Sequence, residues 1–262
     1  MLVSKGYVEV SFGQVHYRRV GDRGPWLFLF HQSPLSSKQF ELCLPYLGKV
    51  CRAVALDTPG YGNSDIPRKP KSLSEYGVQL LEAIDALGAE KFSLAGFHTG
   101  AGIALEIASI LSKERLTKII LTGVPFLSSK QLKTLLANIA LPNIREDGTH
   151  LSEEWLSRFS NWGDGGGLQQ VHVAVTEALS VYPRYRWAFE ALQKHEPESL
   201  LRSVQCPILY ITSSRDSLRQ ADSMASRLCQ NARTVNLGSI PPQIPWTAPQ
   251  LYASAIIDFL AG

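Results

Sequence analysis

Imidazoles, carboxylates and hydroxyls gather in a few short stretches of this chain, each at the end of an apolar run. His31-Gln32-Ser33-Pro34 follows Trp26 to Phe30. Asp57-Thr58-Pro59-Gly60-Tyr61-Gly62-Asn63-Ser64-Asp65 follows Ala53 to Leu56. Gly96-Phe97-His98-Thr99-Gly100-Ala101-Gly102 follows Phe92 to Ala95. Ser213-Ser214-Arg215-Asp216 follows Cys206 to Thr212. Histidine is the side chain most often used for acid–base catalysis. That makes His98, between an apolar strand and an apolar helix, the first candidate for such work. Asp216 has a purely local use as well, because aspartate is favoured just before a helix. Ser33 before Pro34 is explained as turn chemistry. The cysteines Cys43, Cys51, Cys206 and Cys229 form no C-x-x-C pair, and no Cys/His cluster has metal-ligand spacing. No metal is expected, and the thiols read as buried and reduced.

Short apolar runs alternate with helical patterns, as in a mostly parallel sheet covered by helices on both faces. Tyr7 to Phe12 and Gln14 to Val20 resemble an opening antiparallel hairpin around Gly13. The runs at Trp26, Ala53, Phe92, Ile119 (to Thr122) and Ile208 (to Thr212) are nearly continuous apolar strands, as burial on both faces requires. Thr234 to Leu237 completes the set. Ser72 and Glu75 form a capping box for a helix with Leu80, Leu81, Ile84 and Leu87 on one face, which stops at Gly88. Ile103 to Leu111, Ser217 to Cys229 and Pro249 to Leu260 are further helices. From about residue 126 to residue 204 only helical patterns occur. They include Leu132, Leu135, Leu136 and Ile139, then Trp155, Leu156 and Phe159, with a glycine-rich flexible break at Gly163-Asp164-Gly165-Gly166-Gly167. Such an insertion reads as a cap over a site. Trp162, Tyr182, Tyr185, Trp187 and Phe189 are candidates for an apolar pocket roof. The division is therefore a core of residues 1–125 and 205–262 and a helical cap of residues 126–204.

The 262 residues are 45% hydrophobic, enough for one sizeable α/β core. A net charge of +3, spread along the chain, gives no footprint for nucleic acid. Arg68-Lys69-Lys71 reads as a solvated loop. The first residues lack the apolar segment of a signal peptide. No apolar run approaches the roughly 18 residues of a membrane span. A soluble cytoplasmic protein that binds a small molecule is the expectation, with no membrane partner.

The three glycine-rich or histidine-led patterns, in this order, resemble the α/β-hydrolase superfamily, closest to its capped esterase, dehalogenase and C–C hydrolase branch. There the first pattern is usually His-Gly-x-Pro, the second D-x-x-G-x-G-x-S, and the third the G-x-S-x-G nucleophile elbow. The resemblance covers almost the whole chain. The second pattern matches fully; the others match in frame but differ where the chemistry lies. It implies an α/β-hydrolase fold, with a mostly parallel eight-stranded sheet and an inserted helical cap. It also places His98 in the nucleophile seat and Asp216 in the loop of the triad acid. Counting back from Pro249 puts the family histidine at about Pro242 or Gln243, and no histidine follows His195. Without that base a hydroxyl nucleophile stays protonated and weak near neutral pH. A Ser-His-Asp mechanism is not expected.

The imidazole of His98 is long enough to reach into the space the family histidine vacates and meet Asp216. A His98–Asp216 dyad would serve as general base or acid, or His98 as nitrogen nucleophile. Oxyanion donors in the family map to the backbone N–H groups of Thr99 and Gln32. Gln32 replaces a family glycine, and its amide is an alternative donor to a ligand carbonyl. A transposed triad of Ser33, His98 and Asp216 is geometrically conceivable. His31 matches a histidine that supports its loop, and it is carried as a pocket candidate with His172 and Trp187 of the cap. His16 reads as a surface strand residue; His150 and His195 read as exposed. Asp57 and Ser64 hold the second pattern together.

Two functions compete. One is a cofactor-independent enzyme acting on a small, mostly apolar carbonyl compound by ester or C–C hydrolysis, or by a lyase, isomerase or cyclase type of proton transfer. The other is a retired fold that keeps its pocket as a receptor or scaffold. A coupled His98 and Asp216 favours the first, a freely titrating exposed His98 the second. A homodimer through the cap is compatible with either, as in some relatives.

Overall fold

The computed structural model describes residues 1–139 and 144–262, with 164 and 166 described by backbone alone. Eight strands make one sheet: β1 Ser4–Val10, β2 Gly13–Val20, β3 Trp26–Phe30, β4 Arg52–Leu56, β5 Phe92–Phe97, β6 Leu116–Thr122, β7 Ile208–Thr212 and β8 Ala232–Asn236. Their spatial order is β1-β2-β4-β3-β5-β6-β7-β8. The β1–β2 and β2–β4 pairs are antiparallel, and every other pair is parallel. β6 begins before its apolar run because its polar residues find partners. Thr117 Oγ1 lies 2.7 Å from Ser93 Oγ, and Lys118 Nζ donates to the Phe259 carbonyl at 2.7 Å.

Helices α1 Leu44–Leu47, α2 Leu73–Ala86 and α3 Thr99–Ile110 follow β3, β4 and β5. The Ser72–Glu75 capping box starts α2. Between β6 and β7 lie α4 Ser129–Asn138, α5 Thr149–Gly166, α6 Leu168–Ser180, α7 Trp187–Ala191 and α8 Pro197–Ser203, with no strand among the described residues. The chain closes with α9 Arg219–Ser226, α10 Ile244–Thr247 and α11 Pro249–Ala261. Strand side chains alternate between the two faces. Phe28, Phe30 and Leu94 join the core formed with α2 and α3. Leu27, Leu29, Ala95 and Phe97 join the core formed with α1 and α11.

The helix break falls within the glycine-rich stretch at 163–167, at its C-terminal end. Helix α5 extends through Gly166, but φ is 82° at both Gly165 and Gly167, and α6 starts at Leu168. Two histidines are more buried than expected. His16 is enclosed because Nδ1 meets Asp57 Oδ2 at 2.8 Å. His195 is enclosed because Nδ1 meets Glu106 Oε1 at 2.8 Å, tying the end of the helical insertion to α3. The insertion is tied at two further points. Arg184 Nε donates to the Gly60 carbonyl at 3.1 Å, and Glu177 accepts from the Ser36 N–H at 3.1 Å and from the Ser36 hydroxyl.

Asp57 organises the loop after β4. It accepts from the Ser37 N–H at 2.6 Å and the Asn63 N–H at 2.9 Å besides its contact with His16, while Ser64 Oγ donates to the Asp57 carbonyl at 2.8 Å. Burial alone would raise the Asp57 pKa. The His16 hydrogen bond, the nearby His31 and these donors outweigh it and hold the carboxyl down to about 2. A depressed carboxylate stabilises the fold above its ordinary value near 3.8 and loses that contribution as pH falls through about 2. Asp57→Ala strands several buried donors and should lower stability by about 3 kcal/mol. The measurement is a urea midpoint at neutral pH, expected to fall with unchanged slope.

Candidate active site

His98 sits where β5 turns into α3. Its backbone is at φ 50°, unusual for a side chain with a Cβ, and it occupies the cap position of the helix. The turn is held because His98 N–H donates to the Thr122 carbonyl at 2.8 Å, while its own carbonyl accepts from Ala101 N–H at 2.8 Å. Gly100 lets α3 approach this closely, since a Cβ there would lie 2.1 Å from the Phe30 carbonyl oxygen.

The turn after β7 delivers Asp216. Its N–H donates to the Ser213 carbonyl at 3.1 Å. One carboxylate oxygen, Oδ1, accepts from Leu218 N–H at 2.7 Å, and the other, Oδ2, lies 3.1 Å from His98 Nε2. Asp216 is thus a local turn-former and an acid partner at once. The side chain of Asp216 is 3% exposed and that of His98 23%. Burial disfavours the His98 imidazolium, but the charge and hydrogen bond of Asp216 outweigh it and raise the His98 pKa above 6.5. Burial likewise opposes ionisation of Asp216, and His98 and the Leu218 N–H outweigh it, so its pKa is lowered. With Nε2 directed at the carboxylate, Nδ1 makes no hydrogen bond among the described residues and is the nitrogen open to a ligand.

The ring lies on Phe97, with centroids 4.6 Å apart and planes at 21°, and against Gly123 just after β6. Gly123 and Val124 N–H groups donate to Asp222 of α9 at 2.9 and 2.7 Å. Burial pushes the Asp222 carboxyl up to about 7 despite those donors.

His98 opens onto a cavity of ≈ 750 Å³, also lined by Gln32, Ser33, Thr99 and Asp216 of the core and by α5 and its neighbours. The expected apolar roof is only partly present. Trp162, Tyr185 and Phe189 line the cavity, whereas Tyr182 and Trp187 do not. Helical spacing turns Glu154 and Arg158 toward it as a pair at 2.7 Å, with Arg158 also bonded to the Tyr185 hydroxyl. Arg145 and Glu153 form a second pair at the cavity. His150 lines the cavity too.

Several residues singled out in the sequence stand elsewhere. His31 is fully buried, with Nδ1 2.9 Å from the Gln32 carbonyl and Nε2 accepting from Thr58 N–H at 2.9 Å, so both ring nitrogens are engaged in holding loops. His172 is exposed on the outer face of α6 and does not line the cavity. Trp187, half-buried at the start of α7, does not line it either. Ser33 does, and its buried hydroxyl has no hydrogen-bond partner among the described residues. Its N–H donates to Thr99 Oγ1 at 2.7 Å. The expected donor at Gln32 is corrected, because its backbone N–H is taken by Gln39 Oε1 at 2.9 Å. Gln39, a fully buried residue of the 3₁₀ turn Ser37–Phe40, was not singled out. Gln243, at the expected histidine position, is buried at φ 67° and bonded to both Gln39 and Gln32. Only the polar character of Gln39, eight residues beyond His31, signalled its role. Among the described residues no group of three or more His, Cys, Asp or Glu is placed to hold a metal, and no helix is long and apolar enough to cross a membrane.

Residues 25–146 match a family model described as the alpha/beta hydrolase fold. The chain is 38% identical over 94 residues to epoxide hydrolase 3 of Siraitia grosvenorii, covering 35% of this chain and 29% of that protein. It is 31% identical over 104 residues to an uncharacterized hydrolase of Saccharomyces cerevisiae, covering 38% and 36%. The matched segments thus span about a third of these relatives. The structure is similar to a bromoperoxidase from Bacillus anthracis, with a TM-score of 0.84, 17% identity and coverage of 99% and 100%. It is also similar to the enol-lactonase from Burkholderia xenovorans LB400, with a TM-score of 0.81, 18% identity and coverage of 98% and 100%.

Proposed function

We propose that this protein of the α/β-hydrolase fold is an enzyme whose His98–Asp216 dyad moves a proton on a small carbonyl compound. The hydrogen-bonded pair, with oppositely shifted pKa values, carries this reading. Asp216 orients the ring through Nε2, and Nδ1 takes or gives the proton on the substrate. The reaction is ester or C–C hydrolysis, or a lyase, isomerase or cyclase type of proton transfer. Residues 126–204 act as a cap over a core of residues 1–125 and 205–262, which sequesters the reaction from bulk water. The charged pairs on and just before α5 favour a substrate with a polar end over a wholly apolar one. No cofactor takes part, and the protein works on a soluble small molecule in the cytoplasm.

The first test is turnover of a panel of activated esters and β-diketones, with the pH dependence of kcat/KM for wild type and Asp216→Asn. A base must be neutral to act. In wild type the rate should therefore rise with pH through a limb above 6.5, because the His98 pKa is raised. Asp216→Asn removes the charge that opposes desolvation, so the limb should move to lower pH while the plateau falls about a hundredfold. A limb that stays in place rules out the dyad.

A second reading is a ligand-binding protein on a retired hydrolase fold. The engaged Gln32 N–H favours it, because one family oxyanion donor is blocked. A folded protein that binds apolar probes and turns over nothing above buffer would establish that reading.

A further inference from the structure

We infer that the side-chain amide of Gln32 presents a fixed N–H donor to a substrate oxygen beside His98, and that Gln39 and Gln243 hold it in that orientation. The inference rests on the cavity being the place of chemistry, and it concerns a different interaction from the dyad.

The Gln32 backbone N–H can only donate, so the atom facing it at 2.9 Å on Gln39 must be the carbonyl Oε1. The Gln39 NH₂ then points the other way, and donates to Gln243 Oε1 at 2.8 Å. Gln243 must therefore turn its NH₂ toward Gln32, where it donates to Oε1 at 3.0 Å. One backbone N–H thus fixes the direction of all three amides.

The last member of the chain is Gln32 itself. Its carbonyl is taken by Gln243, and its NH₂ makes no hydrogen bond among the described residues. Gln32 lines the cavity next to His98, Ser33 and Thr99. The loop closes on itself: the family's backbone donor is lost to Gln39, and the same residue supplies a side-chain donor in its place. Gln32, Gln39 and Gln243 are 5%, 0% and 3% exposed, so the orientation is not scrambled by solvent. The ligand chemistry is an oxygen acceptor, either a carbonyl or the enolate or oxyanion made from it.

Gln243→Glu tests the relay without touching Gln32. A carboxylate can only accept. It would still receive the Gln39 NH₂, but would also draw the Gln32 NH₂ to itself and leave the Gln32 carbonyl facing the cavity. The probe is acetophenone, and the readouts are its affinity and the infrared stretch of its bound carbonyl. In wild type the stretch should be shifted down relative to Gln32→Met, which keeps the size and removes the amide. In Gln243→Glu the shift should vanish and binding should weaken about tenfold. Gln243→Met, which frees the amide without adding charge, should reduce the shift and stands in if Gln243→Glu does not fold.

His98→Ala separates this from the dyad, because it should stop turnover while the carbonyl shift persists. The inference is overturned if wild type and Gln32→Met give the same stretch. It is overturned equally if the folded Gln243 variants keep the wild-type shift, or if folded wild-type protein does not bind acetophenone.

Discussion

His98→Ala is expected to cut kcat/KM about a hundredfold to ten-thousandfold on any ester or β-diketone the wild type turns over. The substitution deletes the imidazole that Asp216 holds at the cavity. Alanine inherits the positive φ at the turn, so the backbone stays as strained as before. The melting temperature should therefore change little compared with activity. His98→Gln is the companion variant. Its amide can still reach Asp216 but cannot carry a proton, so it should fold like wild type and remain as inactive as His98→Ala. Turnover that survives in both variants would place the chemistry elsewhere, with the unpartnered hydroxyl of Ser33 as the next position to substitute.

The second large effect comes from a residue with no chemistry of its own. A Cβ on Gly123 would lie 2.2 Å from His98 Cδ2 and 2.5 Å from Nε2, and φ there is +65°. The loop cannot yield, because Asp222 holds two consecutive N–H groups from beneath. In Gly123→Ala the ring must leave its place and Nε2 must part from Asp216. Activity should fall to the level of His98→Ala, and stability by about 2 kcal/mol from strain and overpacking. A double-mutant cycle separates the two costs. With His98 already alanine the clash partner is gone, so adding Gly123→Ala should cost less stability than it does alone and no further activity. Full additivity in both would mean that Gly123 does not position the ring.

The fold was largely legible because its signals are local. Continuous apolar runs marked the buried parallel strands. The capping box at Ser72 marked α2, and the glycine spacing around His98 marked the close approach of α3 to β3. The pairing of His98 with Asp216 was foreseeable from the resemblance, since the two loops leave the same ends of parallel strands separated only by β6. Misreadings fell where a side chain's environment depends on distant partners. His16 looks like an alternating surface strand residue until Asp57, 41 positions away, encloses it. His195 is buried by Glu106 across 89 positions. Pocket residues of the insertion were the least legible. Amphipathic helices identify a buried face but not which neighbour it faces, so Trp187 and His172 could not be told from Tyr185 and Arg158. The amide relay was invisible for the same reason, as two of its three links join residues more than 200 positions apart.

That relay also measures the distance between this protein and an ordinary serine hydrolase. On paper two changes, His98→Ser and Gln243→His, would rebuild the missing nucleophile and its base. Either alone leaves half a triad. Together they still leave the Gln32 N–H engaged by Gln39, and Gln243→His also removes the amide that holds the Gln32 side chain. If the Gln32 N–H is the oxyanion donor that the resemblance implies, a serine site on this scaffold needs a third change, at buried Gln39, outside the triad seats. On that reading, a directed-evolution campaign confined to the triad seats should gain little esterase activity until position 39 is also varied.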